Sequence, residues 1–310
     1  MPTLSLIIGL LSLPLKLLQV TLAYFTIGTV FKNDTTKKSL RRTWNCAIFQ
    51  HMTKRLRLSD IKLHAMYTVE DLLNRMDLKL SNELPGYGVR YSSKLTDDVD
   101  DTSVDSYWLT LQELRCKSDP IILYIHGGCF AIQLQDVAVE AMANVYRALK
   151  QEFNKTISML IVDYSLSSNG VYFPNQYHQV NWLYDKLVSE GNTNIVVMGD
   201  SAGGNLTLNI LHHLSCDKSL STSTVWPAGI IPISPMMNVC PSERTGSYIT
   251  YADYDVFSYD CVDYFGTQYI HKDFSQAMDD PRVNIALNVD DINWKEIPTI
   301  KQGRMLMVFE

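Results

Sequence analysis

This chain lacks the marks of several large function classes. Lysine and arginine total 27 against 33 aspartates and glutamates, a net charge of −6, so no basic surplus is available to hold nucleic acid. Six cysteines (Cys46, Cys116, Cys129, Cys216, Cys240 and Cys261) show neither metal-ligand spacing nor a C-x-x-C pair. That removes the usual sequence grounds for a metal centre or a dithiol redox site and leaves the redox compartment open. There is no repeat, low-complexity tract or phosphate loop, and no cofactor is expected.

Charge is scarcest at the front, where only Lys16 is charged between Leu4 and Phe31, with Pro14 and Gln19 as the other interruptions. At ~1.5 Å per residue this stretch exceeds the roughly 30 Å needed to cross a bilayer. A cleaved signal peptide would have a basic start and an apolar region of only about 7 to 15 residues. A buried globular helix would show a polar face, so a single-pass signal-anchor is the expectation. Lys32, Lys37, Lys38, Arg41 and Arg42 crowd its C-terminal flank and by the positive-inside tendency favour a cytosolic catalytic part. Asn33, Asn154 and Asn205 each open an acceptor triplet for lumenal glycosylation. Asn205 falls in a helical pattern and Asn33 stands close to the bilayer, which leaves Asn154 as the candidate.

What is present is more pointed. Gly199-Asp200-Ser201-Ala202-Gly203 follows the apolar run Ile195-Val196-Val197-Met198 and leads into the helical pattern Leu206, Ile210, Leu211, Leu214. A strand, a sharp turn with small residues two before and two after a serine, and a helix make a nucleophile elbow that exposes the serine hydroxyl. About 70 residues upstream, His126-Gly127-Gly128-Cys129 ends the strand-like run Ile121-Ile122-Leu123-Tyr124-Ile125. Attack on a carbonyl creates an oxyanion that needs preorganised N–H donors, and glycines let backbone approach backbone. Gly127, Gly128 and Cys129, with Ala202, are the candidate oxyanion hole.

Taken together these segments resemble the hormone-sensitive-lipase branch of the α/β-hydrolases. His126-Gly127-Gly128 stands for its H-G-G-G, and Gly199-Asp200-Ser201-Ala202-Gly203-Gly204-Asn205 for its G-D-S-A-G-G-N. Val162-Asp163-Tyr164-Ser165-Leu166, Phe173-Pro174-Asn175-Gln176 and Ile233-Ser234-Pro235 are similar to further motifs of the branch. Within it, the apolar N-terminus and the D-Y-S-L form look most like fungal steryl acetyl hydrolases of the endoplasmic reticulum membrane, with arylacetamide deacetylases as the alternative. The resemblance implies a lipid-ester hydrolase, a lumenal catalytic domain, Ser201 as nucleophile, and steryl acetates as substrates. Cys129 departs from the third glycine, and a backbone donor survives there if the position does not need positive φ.

An esterase of this kind uses Ser, then Asp or Glu, then His in chain order. No histidine follows Ser201 at a plausible site: His212 and His213 lie about 16 Å along the elbow helix, and His271 falls in a Tyr- and Asp-rich segment. His51, His64 and His178 have no motif around them, and His126 belongs to the oxyanion loop. Residues 303–310 read as strand seven, after which the family places its acid; Glu310 is a poor candidate for it. The resemblance implies that acid, last strand, histidine loop and final helix lie beyond the terminus. An apolar final strand would leave an unprotected sheet edge, so the expectation is a C-terminally incomplete hydrolase, inactive as 310 residues. A membrane-anchored lipid-binding protein without catalysis, and a serine peptidase, remain as alternatives.

The expected organisation is an anchor at 1–31, a juxtamembrane and cap segment at 32–103, and an α/β-hydrolase domain at 104–310. Strand-like runs near 107–111, 121–125, 157–162, 195–198, 230–233 and 305–309 alternate with helical spacings such as Ala138, Met142, Val145, Leu149. That alternation predicts a mainly parallel sheet with helices on both faces. Residues 238–272 interrupt it.

Overall fold

Six strands form one sheet in the order β1-β2-β4-β3-β5-β6. They are β1 (Arg90–Ser92), β2 (Asp105–Thr110), β3 (Ile121–Ile125), β4 (Ser158–Asp163), β5 (Ile195–Asp200) and β6 (Gly229–Ile233). The computed structural model describes residues 2–28, 37–64, 67–96, 102–216, 224–241, 246–250, 257–271, 277, 279–287, 289–290 and 292–309. The pairings β4-β3, β3-β5 and β5-β6 are parallel, whereas β1 and β2 add antiparallel edges. All five residues of β3, at the centre, are buried, which is why it reads as an unbroken apolar run.

The described residues divide into two compact units, one made of 67–238 and 269–310, the other of 1–66 and 239–268. In the sheet unit, α4 (Val69–Leu80) and α5 (Asp136–Phe153) close one hydrophobic cluster. Val69, Leu72, Leu73 and Leu80 meet Tyr107, Ile122, Val139, Met142 and Ile161 there. Each such aliphatic side chain contributes about 1.5–3 kcal/mol when fully buried. α6 (Asn175–Ser189) packs against α7 (Ala202–Cys216), which in turn lies on β3, β5 and β6.

The cap boundary expected at residue 103 therefore moves. Residues 67–96 belong with the sheet, because the apolar stripe of α4 is completed by sheet side chains and β1 pairs with β2. Thr68 and Asp71 start α4 with a reciprocal capping box.

Strand seven is present only as two parallel bridges to β6, Ile230 with Met305 and Ile233 with Val308. The hydrogen bonds explain the gap. Ile230 donates to Arg304 and accepts from Leu306, Pro232 accepts from Val308, and Ser234 donates to Val308. The one missing rung is the N–H that Pro232 does not have. Glu310 lies outside the described residues.

The second unit contains α1 (Leu4–Ile27), α2 (Leu40–Thr53), α3 (Leu58–His64) and, through residue 268, α8 (Tyr259–Ile270). Within it Leu58 N–H donates to the Tyr264 hydroxyl at 3.1 Å, and Arg57 lies 4.6 Å from the Tyr264 ring centroid. α1 ends at Ile27, and Asn33 lies outside the described residues.

Candidate active site

β3 and β5 are parallel neighbours with Ile125 opposite Gly199, so the segments after them leave the sheet side by side. This is the C-terminal end of the strands, where α/β sheets take their ligands. Glycine is what lets the two segments touch. A Cβ on Gly203 would overlap the carbonyl oxygens of Ile125 and His126, one on Gly199 would overlap the Gly203 carbonyl, and one on Gly127 the Asp200 carboxylate.

Ser201 sits between β5 and α7 at φ 50°, a left-handed conformation that typically costs a residue with a side chain about 1–3 kcal/mol. Its backbone is held in that state from both sides: its N–H donates to Ile233 at 2.9 Å, and its carbonyl accepts from Met236 at 2.9 Å and Asn205 at 3.1 Å. Ser234-Pro235 follows that same Ile233 and brings Pro235 against Gly204, where a Cβ would be 2.9 Å from Pro235 Cα. The hydroxyl thus stands on a fixed turn at a helix N-terminus, whose partial positive charge favours developing negative charge.

The candidate oxyanion loop differs from expectation at two residues. Gly127 N–H donates to Asp200 Oδ1 at 3.0 Å, and Tyr124 donates to the same oxygen at 2.6 Å. Gly127 is therefore an anchor of the loop and not one of its outward donors: its N–H is already spent on the carboxylate. Among the described residues no acceptor takes the N–H of Gly128 or Ala202. Cys129 has φ 53° and Phe130 φ 57°, following Gly128 at φ 115°. The position of Cys129 does need positive φ, so cysteine is accommodated there with strain, and successive N–H groups in such a turn form an anion-binding concavity.

The loop is braced by Tyr164 and Gln176 of the two intervening motifs and by Ser167 and Ser168, which no motif marked. Tyr164 stacks on His126 at 4.5 Å and donates to its carbonyl at 2.9 Å. Ser167 donates through both N–H and Oγ to the Phe130 carbonyl, and Ser168 Oγ donates to Ala131 at 2.6 Å. Gln176 of the F-P-N-Q segment is fully buried and donates to the carbonyls of Ser165 and Val171.

The histidines with described side chains are engaged with groups other than Ser201, and the side chain of His64 lies outside the described residues. His51 meets Ser12 and Gly9, and His126 Nδ1 meets Gly127 O. His178 lies against Tyr177, His212 near Cys216, His213 by Asp185, and His271 on Tyr172. Among the described residues no hydrogen bond joins a histidine to Ser201 Oγ. The same residues hold no cluster of His, Cys, Asp or Glu suited to a metal.

Two buried acid-range titrations flank this loop. Burial pushes His126 down from 6.5 to about 4, partly offset by the Gly127 carbonyl and Asp200. Burial pushes Asp163 up from 3.8 to about 6 against the hydrogen bond from Gln133. Between about 4 and 6.5 the unfolded chain protonates His126 and the folded chain does not, so His126 lowers stability as pH falls. Asp163 acts the other way, since from 3.8 to about 6 the folded chain keeps a proton that the unfolded chain releases. Asp163→Asn removes the second effect. The variant is expected to lose stability more steeply than the parent on acidification through this window, by on the order of 3 kcal/mol. Urea midpoints along a pH series check this, and parallel curves for the two proteins would refute it.

The comparisons with known proteins agree with this geometry. The steryl acetyl hydrolase family profile matches residues 4–310. A Schizosaccharomyces pombe protein provisionally named steryl acetyl hydrolase mug81 is 36% identical over 311 residues, covering 100% of this chain and 80% of its own length. Steryl acetyl hydrolase 1 of Saccharomyces cerevisiae is 28% identical over 191 residues, covering 58% of this chain and 42% of its own length. Among solved structures, a hyperthermophilic esterase from Pyrobaculum calidifontis superposes with a TM-score of 0.52 at 21% identity, covering 78% of this chain and 73% of that one. An esterase/lipase from an uncultured bacterium gives 0.53 at 18% identity, covering 82% and 85%. The sheet, the serine elbow beside the glycine loop and a profile match running from residue 4 to residue 310 place this chain in the steryl acetyl hydrolase family of α/β-hydrolase carboxylic ester hydrolases.

Proposed function

We propose that the chain deacetylates steryl acetates, with Ser201 attacking the acetyl carbonyl to form an acetyl-enzyme that water releases. The observation that carries this reading is Ser201 at φ 50° on a turn that packs, through Gly203, against the carbonyls of Ile125 and His126 at the start of the glycine loop. The oxyanion rests on the N–H groups of Gly128, Cys129 and Ala202. Asp200 and His126 position the loop and take no part in bond making. Family membership and the names of the relatives support the sterol; the geometry supports ester chemistry in general.

A base for Ser201 is the missing part among the described residues, so these 310 residues alone turn over esters far more slowly than a complete triad. The same observation favours the second reading, a lipid-binding protein without catalysis. One experiment separates them: reaction with a fluorophosphonate probe and hydrolysis of a steryl acetate, each with and without added imidazole as an external base. Slow labelling and turnover, raised by imidazole and lost in Ser201→Ala, is the expected result. Equal sterol binding by Ser201→Ala with no labelling of either protein would establish the binding reading.

The apolar α1 supports residence at a membrane, and the family resemblance supports the endoplasmic reticulum with the sheet unit on the lumenal side. Asn154 is exposed at the C-cap of α5, with φ 50°, and would accept a glycan there. Asn205 would not in the folded chain, since its amide donates to the carbonyls of Met236 and Val283 and it is fully buried.

A further inference from the structure

Three consecutive residues of the oxyanion loop hold positive φ: Gly128 at 115°, Cys129 at 53° and Phe130 at 57°. Glycine takes such values freely, whereas cysteine and phenylalanine keep them only where their surroundings over-determine the turn. Part of that constraint is backbone. Ala131 and Ile132 donate to the Gly128 carbonyl at 2.9 and 2.8 Å, and the Phe130 carbonyl accepts from the N–H and Oγ of Ser167 at 2.8 and 3.1 Å. All of these bonds end on carbonyls of the turn, and none of them ends on the Cys129 N–H.

The rest is an aromatic stack. The Phe130 ring lies flat on the ring of Tyr269, with centroids 3.8 Å and planes 9° apart, and both side chains are buried. Among the described residues the Phe130 ring meets no other ring. Tyr269, the penultimate residue of α8, belongs with the sheet unit and is fixed there. Its carbonyl accepts the Phe173 N–H at 2.9 Å, and its ring meets Phe173 edge-on at 5.7 Å. Phe173 is held in turn by Arg282, whose guanidinium lies 5.0 Å from the ring centroid and bonds to Asp280 at 2.7 Å. A flat ring on an anchored segment thus backs the one aromatic side chain of the strained turn.

We infer that Tyr269 is a positioning residue for the oxyanion hole, a role that rests on the proposed action of Ser201: its ring is the shelf that keeps Phe130, and through it Cys129, in the left-handed state. Rotation about φ at Cys129 turns the Gly128–Cys129 peptide plane and so changes the direction of the Cys129 N–H. Without the stack, Phe130 and Cys129 relax toward the negative φ that their side chains favour. The donor is then still present but no longer aimed, and charge developing on the substrate oxygen loses it. Tyr269 needs no contact with a reacting atom to have this effect.

The test uses the full chain in detergent and reads position 201 by two chemistries. One is fluorophosphonate labelling with imidazole present, which builds negative charge on the phosphoryl oxygen. The other is alkylation by iodoacetamide of the thiol introduced by Ser201→Cys, a displacement of iodide that builds no oxyanion, read peptide by peptide by mass spectrometry. Tyr269→Leu is expected to slow labelling by about tenfold or more and to change alkylation by less than about twofold. Tyr269→Phe keeps the ring and is expected to label at the parent rate. Tyr269→Met fills the space without a flat ring and carries the same prediction should Tyr269→Leu not fold. Phe130→Leu removes the stack from the other side, so adding Tyr269→Leu to it is expected to cost nothing further. Labelling of Tyr269→Leu at the parent rate, equal losses in both chemistries, or additive losses in the double variant would each overturn the inference while leaving Ser201 as nucleophile. A parent that does not label with imidazole present overturns the reading of Ser201 and this role with it, a result recognised from the parent alone.

Discussion

Gly203→Ala is expected to leave little or no soluble folded protein, a loss of more than about 4 kcal/mol against a typical domain stability of about 5–15 kcal/mol. The added methyl group has no flexible neighbour to displace. It would overlap the backbone carbonyls of Ile125 and His126, at the end of a strand whose five residues are all paired with β5. Relief requires moving β3 off β5 or unwinding the first turn of α7, and either change opens the centre of the sheet. Gly229→Ala is the comparison. Its Cβ would meet ordinary contacts at 3.6 Å, and a change within about 1 kcal/mol is expected. Soluble yield and urea midpoints for the two variants test the argument. Equal behaviour would mean that elbow and strand end do not meet.

Asp200→Ala is expected to keep the fold and lose about a hundredfold in acylation, the usual effect of disabling an oxyanion-hole donor. Asp200 Oδ1 takes two hydrogen bonds, from Tyr124 at 2.6 Å and from Gly127 N–H at 3.0 Å. Burial and the adjacent carboxylate push the Tyr124 phenol well above its ordinary range, so it remains a donor at any working pH. Removing the carboxylate frees the start of the loop that carries Gly128 and Cys129. Asp200→Asn keeps an oxygen able to accept both bonds and is expected to recover most of the rate. The measurement is the rate of fluorophosphonate labelling with imidazole present, set beside urea midpoints. Equal rates in the alanine and asparagine variants would show that Asp200 does not position the loop.

The elbow and the glycine loop were legible in the sequence because their requirements are local. A turn that tolerates only small neighbours writes those neighbours into five consecutive positions, and a buried parallel strand writes an apolar run. The sheet core from β2 to β6 follows from such runs. Three things were not legible, each because the determining contact is distant. The stripe of α4 looks like any amphipathic helix until Tyr107 and Ile161 cover it. Gly127 looks like an oxyanion donor until Asp200, 73 residues on, takes its N–H. Ser167 and Ser168 carry no signal at all before Phe130 and Ala131 come within reach. The broken edge beside β6 was half legible: the apolar run at 305–309 was plain, but the effect of Pro232 depends on which rung it occupies.

Asn205 brings a matter of timing into the life of the chain. Once folded, its amide is locked between Met236 and Val283 and its neighbour Asn209 donates to its Oδ1. During synthesis on a lumenal route, however, Asn205-Leu206-Thr207 would pass the glycan-transferring enzyme as an open acceptor triplet. A sugar added then could never be enclosed by the carbonyls that the amide must reach. Closure of α7 over its strand and glycan transfer would be rival events, and the yield of working protein would depend on which comes first.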